Sequence, residues 1–310
     1  GGIAGISAAI EAKEQGIDSI LILEREPELG GVLNQCIHSG FGLELFDENL
    51  TGPEFSQKFI YKALKLNIAF KLNTTVIELK EDKTVIAVNS QEGIFDVKGK
   101  AIIIAVGCVE RARGAINIIG RKFAGVYTAG SAQRIVNIEG YLPGKEAVII
   151  GTGDVGLIMA RRMLIEGAKV KAVIEKSDVP KGNSKNVAEC LEDFNIPLLL
   201  RHDVIDINGK ARIQEVTVAQ IDSEGNAVGG TERVLTCDTI LLSVDLTPDN
   251  ELIRKAQIKI FEGDLFTSSK GIFVCGNAHY IHKDADSIVL EGRRAGVIVS
   301  KYILEEKSTI

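Results

Sequence analysis

The stretch Gly151-Thr-Gly153-Asp-Val-Gly156 decides the fold of this chain. It follows the short apolar run 147–150, and the residues after it contain few helix breakers. A second apolar run, Val170 to Ile174, ends in Glu175. A strand, a glycine turn, a helix and a second strand that ends in an acid are the parts of a dinucleotide-binding βαβ unit.

The same landmarks occur a second time near the start of the chain. Subtracting 151 from the positions of Gly153, Gly156, Gly167 and Glu175 gives 2, 5, 16 and 24, which are the positions of Gly2, Gly5, Gly16 and Glu24. One fingerprint of this kind is a weak signal, but two copies in register predict two dinucleotide-binding units in one chain. Two such units indicate electron traffic between two cofactors.

Each copy has a physical reading. The glycines let the backbone approach a pyrophosphate, which lies at the positive N-terminal end of the helix, and the acid accepts hydrogen bonds from a ribose. A carboxylate at Glu175 favours a free 2′-hydroxyl and therefore NAD(H) over NADP(H), although Lys176 beside it could serve a phosphate. The first copy lacks its opening glycine and preceding strand, which predicts that the polypeptide begins earlier.

Composition restricts the class of protein. The chain has 310 residues, of which 45% are hydrophobic and 25% charged, with a net charge of −6 and a pI near 5.5. The absence of a basic run argues against a nucleic-acid partner, and no apolar stretch reaches the roughly 20 residues of an integral membrane segment. The five cysteines are widely spaced, which predicts no disulfide framework, no metal site and a reducing, cytoplasmic location.

The order of apolar runs predicts an α/β chain of two Rossmann-like domains. Residues 1–112 contain a βαβ unit, a β-rich insertion at 69–96 and a buried strand at 101–105. Residues 113–244 hold the second unit with a β-meander, and a strand near 271–275 and a final helix from about 287 to 304 follow. The simplest topology inserts domain 113–244 into a discontinuous domain of 1–112 and 245–310.

Four stretches together resemble the flavoproteins of the pyridine-nucleotide oxidoreductase superfamily, which carry two dinucleotide-binding domains. They are the first glycine turn with Glu24 and Gly30-Gly31, Ile103-Ile-Ala-Val-Gly107, the second glycine turn, and Gly271-Ile-Phe-Val-Cys-Gly276-Asn277. The resemblance implies that the discontinuous domain binds FAD through Gly2, Gly5, Glu24, Gly30, Gly31, Gly107, Gly276 and Asn277. It implies that the inserted domain binds NAD(H) through Gly151, Gly153, Gly156 and Glu175.

A narrower resemblance concerns the stretches Gly31–Gly42, Gly107–Gly114, Thr128–Gln133 and Asn137–Gly144. They are similar to FAD-dependent subunits that accompany a second flavoprotein, either a glycerol-3-phosphate dehydrogenase-like subunit or a sarcosine, proline or opine dehydrogenase subunit. The partner implied is such a dehydrogenase subunit, with the glycerol-3-phosphate branch favoured.

The chain departs from the superfamily pattern at three places. Asn277 stands where most relatives have Asp, and Asp245 stands where a glycine is usual, although Asp tolerates unusual backbone angles better than most residues. The stretch between Ile260 and Thr267 is shorter than the resemblance implies: either a loop is trimmed there or residues are missing. No C-terminal dimerisation domain is expected after Asn277.

Few residues qualify as catalytic. Cys36 with His38 could form a reactive thiolate, since an imidazolium lowers the pKa of a neighbouring thiol, and Cys108 is a further candidate; a packed loop cysteine is the alternative reading. Arg111 and Arg113 could hold a phosphate or a partner's carboxylate. His282 could lie beside a flavin.

Cys36 has no second cysteine within five residues, which argues against the dithiol relay of the disulfide reductases. The sequence therefore predicts an FAD-dependent subunit that moves electrons between NAD(H) and a flavin. The alternative is a structural subunit of a heteromeric dehydrogenase that binds nucleotides without turnover of its own.

Overall fold

A computed structural model describes residues 1–111, 123–261 and 263–308. The chain forms two compact units, an outer unit of Gly1–Val109 with Thr247–Ile310 and an inserted unit of Glu110–Leu246. The fold class predicted from the sequence, two α/β units of which one is inserted into the other, is confirmed. No helix in the described part of the chain has the length and apolar character needed to cross a membrane.

The α-helices of the described residues alternate with short strands. They are α1 (Ile3–Glu14), α2 (Leu43–Phe46), α3 (Gly52–Lys65), α4 (Ala129–Asn137), α5 (Asp154–Ile165), α6 (Ser184–Val187), α7 (Glu251–Lys255) and α8 (Ala285–Ser308).

The strands fall into two groups along the chain. Those before residue 111 are β1 (Leu21–Leu23), β2 (Ser39–Phe41), β3 (Leu50–Thr51), β4 (Ala69–Lys71), β5 (Thr75–Leu79), β6 (Thr84–Asn89), β7 (Gly93–Lys98), β8 (Ile102–Ile104) and β9 (Cys108–Glu110). Those after residue 122 are β10 (Val126–Thr128), β11 (Glu146–Ile150), β12 (Lys169–Glu175), β13 (Leu198–Leu200), β14 (His202–Gly209), β15 (Ile213–Gln220), β16 (Arg233–Thr236), β17 (Thr239–Leu242), β18 (Leu246–Pro248) and β19 (Ile272–Val274).

A five-stranded parallel sheet in the order β10-β17-β11-β12-β13 forms the middle layer of the inserted unit. Side chains of β11 alternate between its faces. Ile149 packs with Leu157 and Met163 of α5, whereas Val148 and Ile150 pack with the antiparallel strands β14 to β16. A strand that buries apolar side chains on both faces belongs at the centre of a parallel sheet. The glycine turn follows this central strand, because β11 ends at Ile150 and Gly151 comes next.

The outer unit is completed by its C-terminal segment, as the sequence predicts. Strand β1 pairs in parallel with β4, and β19 pairs in parallel with β8, with Ile272 opposite Ile102. The insertion at 69–96 is the strand β4 followed by the antiparallel meander β5-β6-β7.

Helix α8 packs closely on α1 because it presents glycines to it. A Cβ atom built on Gly292 would lie 2.6 Å from the carbonyl oxygen of Ala4, and one on Gly296 would lie 2.6 Å from that of Ala8. Larger residues would separate the two helices. The close packing holds the N-terminal end of α1 beside the loop between β19 and α8.

Candidate functional site

The second glycine turn lies against the residue that follows β17. Gly151 has φ of +92°, and a Cβ atom there would clash with the carbonyl group of Ser243. A Cβ on Gly156 would lie 2.5 Å from the Cβ of Ser243. Only glycine fits at these two positions.

Helix α5 begins at this turn, with Gly153 as its N-cap residue. The first N–H groups of a helix have no carbonyl partner inside it, and in α5 the N–H of Gly156 donates to the hydroxyl of Ser243 at 3.0 Å. The remaining donors of the first turn and the positive end of the helix dipole suit a pyrophosphate. The residues present therefore fit a dinucleotide.

Glu175 ends β12 and is held by hydrogen bonds from two directions. Its Oε2 atom accepts the N–H of Thr152 at 3.1 Å and the hydroxyl of Thr152 at 2.6 Å, and its Oε1 atom accepts the N–H of Ser177 at 3.0 Å. Burial opposes ionisation of this carboxyl group, but these bonds and the charge of Lys181 outweigh burial and hold the pKa of Glu175 below its usual value. A fixed carboxylate at this point can accept the hydroxyls of a ribose.

The cation next to this acid has a partner of its own. The Lys176 ammonium lies 2.7 Å from a carboxylate oxygen of Asp203, and Arg201 lies 3.3 Å from Asp178. The sequence left open whether Lys176 serves a 2′-phosphate. In the structure it forms an ion pair with Asp203.

The first glycine turn has the same construction in the outer unit. The backbones of Gly2 and Gly31 approach so closely that a Cβ on Gly31 would lie 2.9 Å from the Cα of Gly2. Gly30 and Gly31 have φ of +119° and +61°. Gly5 faces the segment after β8, where its Cβ would lie 3.3 Å from that of Ala105.

Glu24 has the hydrogen-bond pattern of Glu175. Its Oε2 atom lies 3.0 Å from the backbone nitrogen of Gly1, and its Oε1 atom accepts the N–H of Glu26 at 2.9 Å. Adding 151 to these positions gives Thr152 and Ser177, the backbone partners of Glu175. The offset found in the sequence is therefore also an offset in hydrogen bonding, and both acids are buried, with 7% and 3% of their surfaces exposed.

The third part of the outer site is the loop after β19. Gly276 has φ of +65°, and a Cβ on it would lie 2.5 Å from that of Ala4 in α1. The amide nitrogen of Asn277 donates to the sulfur of Cys108 at 3.7 Å, next to Gly107. The structure thus brings Gly2, Gly5, Gly107, Gly276 and Asn277 to one end of the outer unit.

The catalytic role predicted for Cys36 and His38 is not supported by the structure. Desolvation raises the pKa of the Cys36 thiol to about 12, whereas a reactive thiolate needs a lowered pKa. The thiol donates to the carbonyl of Val32 at 3.4 Å, and Nδ1 of His38 lies 3.0 Å from the carbonyl of Ser39. These observations favour the alternative reading of the sequence, in which Cys36 is a packed loop cysteine.

Three of the other four cysteines are also poor nucleophiles. Burial raises the pKa of Cys237 and of Cys275 to about 12 and raises that of Cys190. All five cysteines lie in the described ranges, and no two of them form a disulfide there. Cys108 differs from the other cysteines because it contacts Asn277, one of the residues predicted to bind FAD.

The structure shows the surroundings of Asp245 and of the stretch between Ile260 and Thr267. Asp245 does not have a positive φ angle, so the tolerance of Asp for unusual angles is not needed there. It lies 3.5 Å from Arg111, whose N–H donates to the carbonyl of Asp245. Arg111 is thus engaged within the chain, and Arg113 lies outside the described residues. Ile260 and Thr267, at the two ends of the short stretch, pair as an antiparallel bridge.

Sequence reasoning missed Thr152, Ser243 and Glu291. Thr152 stands between the first two glycines of the turn. A hydroxyl at this position can reach the acid that ends the next strand, and that signal was present in the sequence. Ser243 accepts the N–H of Gly156, and Glu291 on α8 accepts the N–H of Gly276. Both acceptors are distant in sequence from their donors, so no local pattern indicated them.

Comparisons with known proteins agree with this geometry. The chain is 24% identical over 276 residues to the hydrogen cyanide synthase subunit HcnB of Pseudomonas protegens, covering 82% of this chain and 57% of that protein. It is 24% identical over 325 residues to an opine oxidase subunit of Agrobacterium tumefaciens, covering 96% of this chain and 63% of that protein. The chain thus spans less than two thirds of these two relatives.

Among solved structures, the fold is similar to that of thioredoxin reductase from T. acidophilum, with a TM-score of 0.75, 20% identity, and coverage of 98% of this chain and 96% of that one. The model of the family described as pyridine nucleotide-disulphide oxidoreductase matches residues 1–290. With both glycine turns, both acids and the strand order in place, the chain belongs to the pyridine nucleotide-disulphide oxidoreductase family.

Proposed function

We propose that this chain moves electrons between NAD(H), bound by the inserted unit, and FAD, bound by the outer unit. The observation that carries the proposal is the repeated construction of the two sites. Glu24 and Glu175 are buried acids with equivalent hydrogen bonds, and each lies beside a glycine turn that opens a helix. Two sites in one chain, each with a glycine turn beside a buried acid, fit two dinucleotides.

The residues assigned to FAD are Gly2, Gly5, Glu24, Gly30, Gly31, Gly107, Gly276 and Asn277. Those assigned to the nicotinamide dinucleotide are Gly151, Gly153, Gly156 and Glu175. We propose NAD(H) rather than NADP(H), because a 2′-phosphate would meet the Glu175 carboxylate and because Lys176 is paired with Asp203.

Nicotinamide and flavin supply the redox chemistry once they are bound, by passing a hydride from one ring to the other. The residues of the chain bind and orient the two dinucleotides. This division of work needs no catalytic acid or base, and the raised pKa values of four of the cysteines are compatible with it.

We further propose that the chain does not reduce disulfides through a dithiol. Cys36→Ser should leave the rate of NADH-dependent dye reduction within about twofold of wild type, because the thiol that it replaces is packed and protonated (pKa about 12). Steady-state assays of both proteins, with a dye and with a small disulfide as acceptors, check this. A loss of more than tenfold in Cys36→Ser, or rapid disulfide reduction by wild type, would count against the proposal.

The proposed partner is a second flavoprotein dehydrogenase subunit of the glycerol-3-phosphate or amino-acid type. Support comes from the relatives, since HcnB and the opine oxidase relative are both named as subunits. Co-purification of a second flavin-containing chain from the native source would identify the partner.

Anaerobic stopped-flow mixing tests the electron transfer. The purified protein should carry flavin, and NADH should bleach the flavin absorbance at about 450 nm. NADPH at the same concentration should act at least about tenfold more slowly, which corresponds to about 1.4 kcal/mol. Colourless protein that binds NAD⁺ would favour the alternative of a structural, nucleotide-binding role, and a bound flavin that neither NADH nor NADPH reduces would refute the proposal.

A further inference from the structure

Four charged side chains of the inserted unit lie close to the acid that ends β12. Lys176 and Asp178 follow Glu175 directly in the chain, and Arg201 and Asp203 come shortly after β13. Strand β12 pairs in parallel with β13 as far as Glu175. Because neighbouring strands are about 4.8 Å apart, the segments 176–178 and 201–203 leave the sheet side by side at the same edge.

The four charges form two ion pairs between these segments. The Lys176 ammonium lies 2.7 Å from a carboxylate oxygen of Asp203, and the Arg201 guanidinium lies 3.3 Å from a carboxylate oxygen of Asp178. The backbone N–H of Arg201 donates to the carbonyl of Ser177 at 3.0 Å, which joins the two segments. Both cations are therefore neutralised by an acid from the opposite segment.

The position of these cations matters for the choice of dinucleotide. An acid that ends the second strand of a βαβ unit accepts a ribose 2′-hydroxyl, whereas a nearby arginine accommodates a 2′-phosphate. Arginine and lysine are the side chains that bind phosphate groups in proteins. Lys176 and Arg201 stand beside Glu175, so the inserted unit contains cations of both kinds next to its ribose acid.

The charge balance at this edge depends on the two aspartates. A third cation, Lys181, favours the ionised form of Glu175 through its charge. With Lys181 included, these six side chains are three cations and three carboxylates, and their charges cancel. Without Asp178 and Asp203 the group would carry a net positive charge and would attract a phosphate. Specificity often depends on an element that disfavours the wrong ligand, and the two aspartates are suited to that task.

We propose that Asp203 and Asp178 are specificity-determining residues, which hold Lys176 and Arg201 in ion pairs and thereby keep these cations from binding a 2′-phosphate. The inference rests on the proposed function, because it concerns the dinucleotide that the inserted unit binds. The preference for NAD(H) then depends on these two aspartates as well as on Glu175.

The contribution of Asp203 should be the larger one. Its side chain is 25% exposed, and its distance to Lys176 is short. The side chains of Arg201 and Asp178 are 68% and 62% exposed, and ion pairs in water contribute little. In Asp203→Asn the charge is lost, but Oδ1 can still accept the N–H of Val204, to which it binds at 2.9 Å. The variant should therefore keep the local fold.

Calorimetric titration of the flavin-loaded protein with NAD⁺ and with NADP⁺ tests the proposal without an assay of activity. Wild type should bind NAD⁺ more tightly than NADP⁺. The ratio of the two dissociation constants should shift toward NADP⁺ by about tenfold in Asp203→Asn and by about threefold in Asp178→Asn. Titration with AMP and with adenosine 2′,5′-bisphosphate should give the same shifts, because these probes contain only the adenosine end of the dinucleotides.

Two further variants assign the effect to the cation beside the acid. Lys176→Met, introduced into Asp203→Asn, should remove the gain for NADP⁺. Glu146→Gln is the matched control, because Glu146 forms an equally short ion pair with Lys171, at 2.7 Å, and its loss changes the net charge by the same amount. Glu146 begins β11, so it lies at the opposite edge of the parallel sheet from Glu175. The control should shift the ratio by less than about twofold.

Three outcomes would overturn the proposal. They are a wild type that binds NADP⁺ as tightly as NAD⁺, an unchanged ratio in the variant that carries both Asp203→Asn and Asp178→Asn, and an equal shift in Glu146→Gln. A gain that survives Lys176→Met would likewise contradict the role of Lys176. Failure of the proposed function looks different, since NADH would then leave the flavin oxidised while the titrations still report the ratio of the dissociation constants.

Discussion

Gly151→Ala should abolish NAD⁺ binding and destabilise the inserted unit by about 2–5 kcal/mol. An L residue in the left-handed region costs about 1–2 kcal/mol, and Gly151 has φ of +92°. Overpacking adds about 1–3 kcal/mol, because the new methyl group would clash with the carbonyl of Ser243. Urea unfolding followed by circular dichroism, and calorimetric titration with NAD⁺, measure the two effects.

Gly167→Ala separates the two causes. Gly167 has nearly the same φ, +89°, but no atom lies within 4 Å of its built Cβ. The free energy of unfolding of this control variant should fall by only about 1–2 kcal/mol, and its affinity for NAD⁺ should stay unchanged. If both variants bind NAD⁺ equally well, the glycine turn at Gly151 is not the pyrophosphate site. If Gly151→Ala also loses its flavin, the damage extends beyond the inserted unit.

The contrast between these two glycines shows what the sequence can predict. Spacing identifies both as landmarks of the fingerprint, although only Gly167 has a counterpart in the first copy, Gly16. Their different demands come from Ser243, which is 92 positions from Gly151 and reaches it only because β17 pairs with β11. Local patterns predict strands, turns and helices, but long-range contacts depend on sheet order.

The same division between local patterns and long-range contacts applies to the residues of the candidate site. The positions of Glu24 and Glu175 were predictable because a strand-ending acid has a fixed place in the βαβ unit. The contacts of the buried Glu291 carboxylate with His279 and His282 were not, because Glu291 lies on α8 and the histidines lie in the loop before that helix. His38, a sequence neighbour, suggested activation of Cys36, whereas desolvation raises the pKa of the Cys36 thiol.

Thr152→Val should weaken NAD⁺ binding by about tenfold and destabilise the chain by about 2 kcal/mol at pH 7, in line with a hydrogen bond to a charged group. Thr152 is fully buried. Its hydroxyl donates to Glu175 at 2.6 Å and accepts the N–H of Lys181 at 2.9 Å. Valine keeps the shape and removes both bonds, so the acid loses a fixed donor. Calorimetric titration with NAD⁺ and urea unfolding at pH 7 measure the two losses.

The pH dependence of this loss identifies its cause. The pKa of Glu175 is lowered in the folded chain, with the Thr152 hydroxyl as the largest of the lowering contributions. A carboxyl group with a lowered folded pKa stabilises the fold above its unfolded pKa of about 4.3, and that stabilisation is lost as the pH falls through the folded value. The difference between wild type and Thr152→Val should therefore shrink between about pH 5 and pH 3.

Thr152→Ser is the matched variant for this test. It retains the hydroxyl and loses only a methyl group, so its affinity for NAD⁺ should stay within about threefold of wild type, and its stability should show the wild-type pH dependence. Equal losses in the serine and valine variants would assign the effect to packing. A valine variant that binds NAD⁺ as wild type does would show that the orientation of Glu175 does not depend on the Thr152 hydroxyl, and that the backbone N–H donors of Thr152 and Ser177 hold the carboxylate by themselves.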